Sequence, residues 1–95
     1  MKEFLVEFDL KVPDGTPETE VEQRTRAEAS AAARLADQGH LVRLWRRDAT
    51  AIGLYAADSE AELDGLMQAL PLADWMQITI TPLAPHPNDP APGAR

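Results

Sequence analysis

Few residues of this 95-residue chain could do chemistry, and a glutamate inside a predicted helix is the foremost of them. Glu28 lies seven residues from both Val21 and Leu35, so helical spacing puts these side chains on one face, with Thr25 and Ala32. Because that face should point to the core, burial should raise the carboxyl pKa and favour a general base. The alternative is a helix acid at the edge of the apolar stripe, paired with an arginine.

A cation and three large aromatic residues are the further candidates for substrate binding. Arg46 could bind a carboxylate through two parallel hydrogen bonds or stabilise a developing anion, or it could form a salt bridge with Glu28 or a partner chain. Trp45, Tyr55 and Trp75 could line a pocket. In a small domain, residues of this size are more often part of the core or of an interface.

The two histidines are weaker candidates for a functional role than the residues above. His86, between two prolines near the end of the chain, could shuttle protons or could simply face solvent or an interface. His40 follows a predicted helix end and could interact with the helix dipole. With two separated histidines and no cysteine, we expect no metal site, and no motif calls for an organic cofactor.

Six predicted elements position these residues, in the order strand, helix, strand, strand, helix, strand. Alternating and helical apolar spacing predicts strands at 3–12, 41–47, 50–57 and 76–82, and helices at 17–38 and 60–70. This order is typical of the α+β ferredoxin-like βαββαβ fold, a four-stranded antiparallel sheet with both helices on one face.

Local signals mark the ends of these elements. Thr16 is expected to cap the first helix and Gly39 to end it. Ser59 and Glu62 form a capping-box pattern before the second helix, which Pro71 ends. Asp48-Ala49 predicts a tight hairpin.

The outer face of the sheet is expected to be covered by a second copy, which would make a dimeric α+β barrel. Strict alternation in the second strand puts Leu41 and Trp45 on one face, and Leu5 or Tyr55 would add to the outer surface. A small domain has a modest core, and oligomerisation is a common remedy.

Composition excludes several partners. The net charge of −7 argues against nucleic acid and anionic membranes, which need clustered basic residues. Because no apolar h-region follows Met1 and no apolar run reaches spanning length, we expect no signal peptide, no membrane span and a cytoplasmic location. Residues 1–87 should form one domain, and the Pro-rich residues 88–95 should be disordered unless a neighbouring subunit holds them.

Over nearly its full length the chain resembles the muconolactone Δ-isomerase family. The resemblance is carried by EFLVEFDLKVP at Glu3–Pro13, the acid in RAEAS at Glu28, GHLVRLWR at Gly39–Arg46, AELDGLMQALPLADWM at Ala61–Met76 and TPLAPHP at Thr81–Pro87. It implies a ferredoxin-like barrel assembled into rings, a small-molecule substrate, and no metal or organic cofactor. The implied reaction moves a proton and a double bond within an unsaturated lactone acid, in the catabolism of aromatic compounds.

The sequence departs from the family pattern at several positions. Asp64 stands where the family usually has a histidine, and Ala73-Asp74 stand where it usually has Phe-Pro. Ala51 replaces an asparagine, the loop between the second and third strands is shortened, and a basic residue is absent at Ala31–Ala32. We expect the scaffold to carry over better than the substrate.

Two functions follow. The first is a cofactor-independent isomerase with Glu28 as the base and Arg46 as the anion holder, acting on a small unsaturated lactone or oxo acid, or a related isomerase or cyclase of secondary metabolism. The second is a non-catalytic protein on the same barrel that binds small molecules or mediates assembly. The missing histidine and asparagine favour the second, whereas Glu28, Arg46 and Trp75 favour the first.

Overall fold

A computed structural model describes residues 1–91 of the chain. The elements are β1 (Lys2–Leu10), α1 (Glu18–Asp37), β2 (Leu41–Arg47), β3 (Thr50–Ala57), α2 (Glu60–Gln68), a short 3-10 turn (Ala73–Trp75) and β4 (Met76–Leu83). The predicted order is confirmed, and every strand lies within a few residues of its predicted bounds.

The four strands form one antiparallel sheet in the order β2-β3-β1-β4. Phe4, Val6 and Phe8 of β1 are buried on the face that the helices cover. Their cross-strand partners on β4 and β3 continue that inner face, and Leu35, Leu63 and Met67 close the core from the helix side. Alternation in β1 therefore predicted the inner face correctly, because one side of each strand packs against helices.

The two ends of α1 differ in how well the sequence predicted them. Gly39 has φ of 82°, and its N–H donates to Ala36 while that of His40 donates to Leu35, a Schellman ending. The predicted Thr16 cap is wrong. Its hydroxyl donates to the Pro13 carbonyl at 2.6 Å, and the helix begins after Pro17 without a side-chain cap. The Pro13 carbonyl accepts both the N–H and the hydroxyl of Thr16, so the side chain stabilises the preceding turn instead of the helix end.

A bulge changes the predicted faces of β2. The register with β3 shifts between Leu41 and Arg43. Leu41 therefore packs against the core beside Tyr55, whereas Trp45 pairs with Ile52 on the outer face. Strict alternation put Leu41 and Trp45 together, and the extra residue of the bulge is the reason that this prediction is wrong.

The start of α2 follows the capping-box prediction. The Ser59 hydroxyl accepts from the Glu62 N–H at 3.1 Å, and the Glu62 carboxylate accepts from the N–H of Asp58 at 2.8 Å. The helix ends at Gln68, two residues before its predicted end and three before Pro71, and the chain then turns through Ala73–Trp75 into β4. This corner brings Leu72 and Trp75, both buried, against α1.

The outer sheet face is apolar along its middle. Leu5 lies directly opposite Leu54, and Ile52 lies opposite Trp45, whose side chain is exposed. Tyr55 is on the inner face, so of the two residues proposed for the outer surface only Leu5 is there.

The predicted disorder of residues 88–95 stays a prediction, since 92–95 lie outside the described residues. Within residues 1–91, no helix is long and apolar enough to cross a membrane.

Candidate active site

Glu28 lies midway along α1, half-buried and facing the corner between α2 and β4. Its Oε1 accepts a hydrogen bond from the backbone N–H of Leu72 at 3.0 Å. Burial raises the pKa of the Glu28 carboxyl above its usual range, and the Leu72 hydrogen bond opposes that rise. The group is thus held at one oxygen by the main chain while its proton affinity is increased, as a general base requires.

Tyr55 of β3 is the ionisable neighbour of Glu28. Burial, and secondly the nearby Glu28 charge, raise the pKa of the Tyr55 phenol to about 12. The hydroxyl is therefore protonated at neutral pH and able to donate a hydrogen bond.

Gly53 makes room for the Tyr55 ring. A Cβ at position 53 would collide with Cε1 of Tyr55 and lie 3.0 Å from Cδ1. The ring therefore lies across the backbone of its own strand, two residues before it. From there it reaches Phe8, with the ring centroids 6.0 Å apart.

Arg46 belongs to a different place, an open cavity of about 550 Å³ at the β2–β3 hairpin. Phe8, Leu44 and Ala51 of the inner sheet face form part of its wall, and Trp45 lies at its rim. Arg46 is the charged residue of a lining that is otherwise apolar. Among residues 1–91, no salt bridge involves Arg46. A charged group in an apolar, open cavity is suited to orient an anionic ligand.

The structure does not pair Arg46 with Glu28, which was the alternative role for both. The causes of the Glu28 pKa shift include no cation, and the Arg46 cavity is lined by residues other than Glu28. Tyr55 and Phe8 connect the two places instead. Tyr55 interacts with Glu28, and Phe8, which contacts Tyr55, lines the cavity.

The other predicted site residues lie away from the cavity. Trp75 is buried at the corner, where the Arg24 guanidinium stacks on its ring at 4.2 Å. His86 is exposed, and its Nδ1 accepts from the N–H of Asn88 at 3.0 Å. His40 donates from Nδ1 to the Ala56 carbonyl at 2.7 Å. Over residues 1–91 no cluster of His, Asp and Glu could hold a metal ion.

Sequence reasoning missed two partners in this region. The Leu72 N–H is a main-chain donor in a turn, which no side-chain pattern marks. Arg24 could have been found, because it lies one helical turn before Glu28 and therefore on the same face. It contacts Asp74, at a position where this chain departs from the family pattern.

Thr25, predicted on the inner face of α1, is exposed and donates to the Val21 carbonyl at 2.7 Å. The helix therefore turns Arg24 and Glu28, rather than Thr25, toward the corner.

The fold and site define a class: a small ferredoxin-like α+β protein with a half-buried carboxylate and an open, mostly apolar cavity. Comparisons with known proteins identify relatives of the chain. A family model described as muconolactone delta-isomerase matches residues 2–89. Muconolactone Delta-isomerase 1 of Acinetobacter lwoffii is 32% identical over 91 residues, covering 90% of this chain and 91% of that protein. The muconolactone Delta-isomerase of Cupriavidus pinatubonensis is also 32% identical, covering 90% and 95%.

A solved structure agrees with the sequence matches. The crystal structure of muconolactone isomerase at 3.3 Å resolution superposes with a TM-score of 0.86 and 25% identity, over 94% of this chain and 95% of that one. The chain belongs to the muconolactone delta-isomerase family. The resemblance and the βαββαβ fold expected from the sequence are confirmed.

Proposed function

We propose that this protein is a cofactor-independent isomerase that moves a proton and a double bond in a small unsaturated lactone acid. The observation that carries the proposal is Glu28, a half-buried carboxyl with a raised pKa, bound at one oxygen by a backbone N–H. Its family relatives are enzymes named for an isomerisation of this kind.

The proposed reaction needs one base and one anion-binding group. Glu28 takes a proton from the carbon next to the substrate carbonyl, and the C–H electron pair moves into a dienolate. The neutral Glu28 then returns the proton to another carbon of the conjugated system, so that no electrons or atoms are gained or lost. Because Glu28 acts first as base and then as acid, a pKa above the ordinary glutamate range suits both steps.

In this proposal the cavity supplies binding and orientation. Arg46 binds the substrate carboxylate, Trp45 covers the rim, and the apolar wall at Phe8 and Leu44 accepts the ring. Tyr55 lies behind Phe8 and outside the cavity lining, and both side chains are buried. The proposal therefore requires the Phe8 ring to move aside for the substrate to reach the Tyr55 hydroxyl, which is protonated and can donate to the developing oxyanion. The roles of Trp75 and His86 in binding stay predictions.

The experiment is proton exchange in deuterated water with a panel of unsaturated lactone acids that includes muconolactone. We expect wild-type protein to isomerise at least one of them with deuterium incorporation, and Glu28→Gln to lose that exchange. Binding without exchange by the wild type would overturn the proposal and favour the non-catalytic alternative.

Muconolactone itself should be a poor substrate. Ala51 puts a methyl group in the cavity wall where the resemblance implies an amide, and Asp64 is an exposed acid where it implies histidine. A displacement of about 1 Å in a reacting group can cost about 10²-fold in rate. Turnover of muconolactone at an ordinary enzymatic rate would contradict this expectation.

We also propose that the protein assembles through the outer sheet face. Leu5, Leu54 and Ile52 form an apolar strip between acidic residues on β1 and Arg43 and Arg47 on β2. A two-fold pairing would bring the acidic strand of one copy near the basic strand of the other. Sedimentation at micromolar concentration is expected to show a dimer or larger assembly, and a stable monomer would refute it.

A further inference from the structure

Arg24 forms the largest set of polar contacts between α1 and the corner before β4. From Nη1 it donates to Asp74 Oδ1 at 2.8 Å and to the Pro71 carbonyl at 3.3 Å. Its guanidinium carbon lies 4.2 Å from the centroid of the Trp75 ring. A planar guanidinium can make all of these contacts at once, whereas an ammonium group cannot.

The residues that Arg24 contacts surround the donor to Glu28. Leu72 lies between Pro71 and Asp74, and its N–H is the group that binds Glu28 Oε1. Arg24 and Glu28 are four residues apart, so both reach the same turn from one face of α1. The turn also has its own hydrogen bonds, from Ala73 N–H to Leu70 and from Trp75 N–H to Leu72.

We propose that Arg24 is a positioning residue, which by binding Asp74 and Pro71 and stacking on Trp75 fixes the turn so that the Leu72 N–H donates to Glu28. This inference rests on the proposed function only for its effect on rate. The positioning of Glu28 is a structural property that can be measured without a substrate.

If the Arg24–Asp74 pair only stabilises the fold, breaking it should change the stability of the protein little. Both side chains are partly exposed, 32% and 69%, and ion pairs of this kind contribute only modestly to stability because solvent screens them. The positioning role predicts instead a change at Glu28. Without the Leu72 donor, the carboxylate loses the hydrogen bond that opposes the effect of burial, so its pKa rises further.

The charges around Glu28 allow the two roles to be separated by sign. The Tyr55 phenol of β3 senses the Glu28 charge, Arg24 lies one helical turn before Glu28 on α1, and Asp74 lies two residues after the Leu72 donor and binds Arg24. Replacing Asp74 by Asn removes a negative charge, which alone would lower the Glu28 pKa. Loss of the Leu72 hydrogen bond would raise it. Asp74→Asn therefore gives opposite results for a simple field effect and for a displaced turn.

The experiment is a carbon-13 NMR titration of the Glu28 side-chain carboxyl in wild type, Asp74→Asn and Arg24→Lys. Glu28→Gln provides the assignment. We expect Asp74→Asn and Arg24→Lys to remain folded and to show a higher Glu28 pKa than wild type. Arg24→Lys keeps the positive charge, so a higher Glu28 pKa in this variant would come from the lost guanidinium contacts and not from a change of charge.

Glu20→Gln is the matched control, since Glu20 is the other acid near Arg24, at 3.7 Å, and does not touch the turn. It should leave the Glu28 pKa unchanged or slightly lower. A Glu28 pKa that falls or stays constant in Asp74→Asn would overturn the inference. Where a substrate is available, the acidic limb of the kcat/KM profile should move to higher pH in Asp74→Asn and in Arg24→Lys. If Glu28→Gln keeps the full rate, the proposed function fails while the NMR result still decides the positioning role.

Discussion

The corner that holds Glu28 and the cavity that holds Arg46 are organised by different parts of the chain. At the corner, a main-chain N–H, a buried indole and a salt bridge all fix one short turn against α1. At the cavity, a side chain without a salt bridge in the described chain projects from the edge strand β2 into open, apolar surroundings. The first region restricts a carboxyl group, and the second leaves a cation available.

Two of the departures from the family pattern lie in these two regions, one in each. Asp74, where Phe-Pro is usual, gives the corner a new polar contact with Arg24. Ala51, where asparagine is usual, makes the cavity less polar. The corner has thus gained a restraint while the cavity has lost a specific hydrogen-bonding group. The following predictions test whether the corner acts by restraining the carboxyl group and the cavity by binding a ligand.

Glu28→Gln should have the largest effect on rate, a loss of about 10²-fold or more, because it removes the base and keeps the shape. Its effect on stability should depend on pH. The folded-state pKa is raised, so ionisation destabilises the native state, and wild-type stability falls as pH rises above the ordinary glutamate value of 4.5. The gain in melting temperature of the mutant over wild type should therefore increase with pH.

Thermal melts across the acidic to neutral range measure that difference. A difference in melting temperature that does not vary with pH would show that Glu28 is solvated. An unchanged rate as well would remove Glu28 from the mechanism.

Arg46→Ala should act on substrate binding rather than on stability. A hydrogen bond to a charged group contributes about 1.5–3 kcal/mol, so KM should rise about 10-fold to 100-fold with little change in kcat. Arg47→Ala is the matched control, because Arg47 lies next along β2 but pairs with Thr50 on the outer face. Equal effects of the two substitutions would show that the net charge of the strand, and not the cavity, attracts the substrate.

The sequence predicted these two regions unequally. Period-two apolar residues fixed β1 and β4, and the glycine after α1 fixed its end, because each signal is local. Glu28 was identified by spacing for the same reason. The donor to Glu28 was not, since the Leu72 N–H becomes available only when the chain turns back on α1. The faces of β2 were also missed in part, because a bulge near Leu41 leaves no clear mark in composition.

Gly53→Ala tests the position of the Tyr55 ring, which lies between the two regions in the proposed mechanism. The added methyl group would collide with the Tyr55 ring, which is buried and contacts Phe8, so overpacking should cost about 1–3 kcal/mol. Gly65→Ala is the control, since nothing lies within 4 Å of its Cβ position on α2. It should stabilise the protein by up to about 1 kcal/mol. Denaturant melts compare the two, and similar results for both would mean that the Tyr55 ring is not held over Gly53.

The smallest effect concerns Tyr55, the one tyrosine of the chain, so that ultraviolet titration of the phenol reports on this residue alone. Its pKa of about 12 has burial as its main cause and the Glu28 charge as the second. Glu28→Gln should therefore lower the midpoint while leaving it above the ordinary 10.0, because burial remains. Glu22→Gln, on the exposed side of α1 and paired with Arg26, should not move the midpoint.

The Tyr55 phenol pKa is raised in the folded state, so stability should fall as pH increases from 10.0 toward about 12. The titration must therefore be read together with a fold-sensitive signal. A midpoint that does not move in Glu28→Gln would separate the phenol from the carboxylate. Tyr55 would then not connect the Glu28 corner with the Arg46 cavity, because the Glu28 charge would have no effect on its phenol.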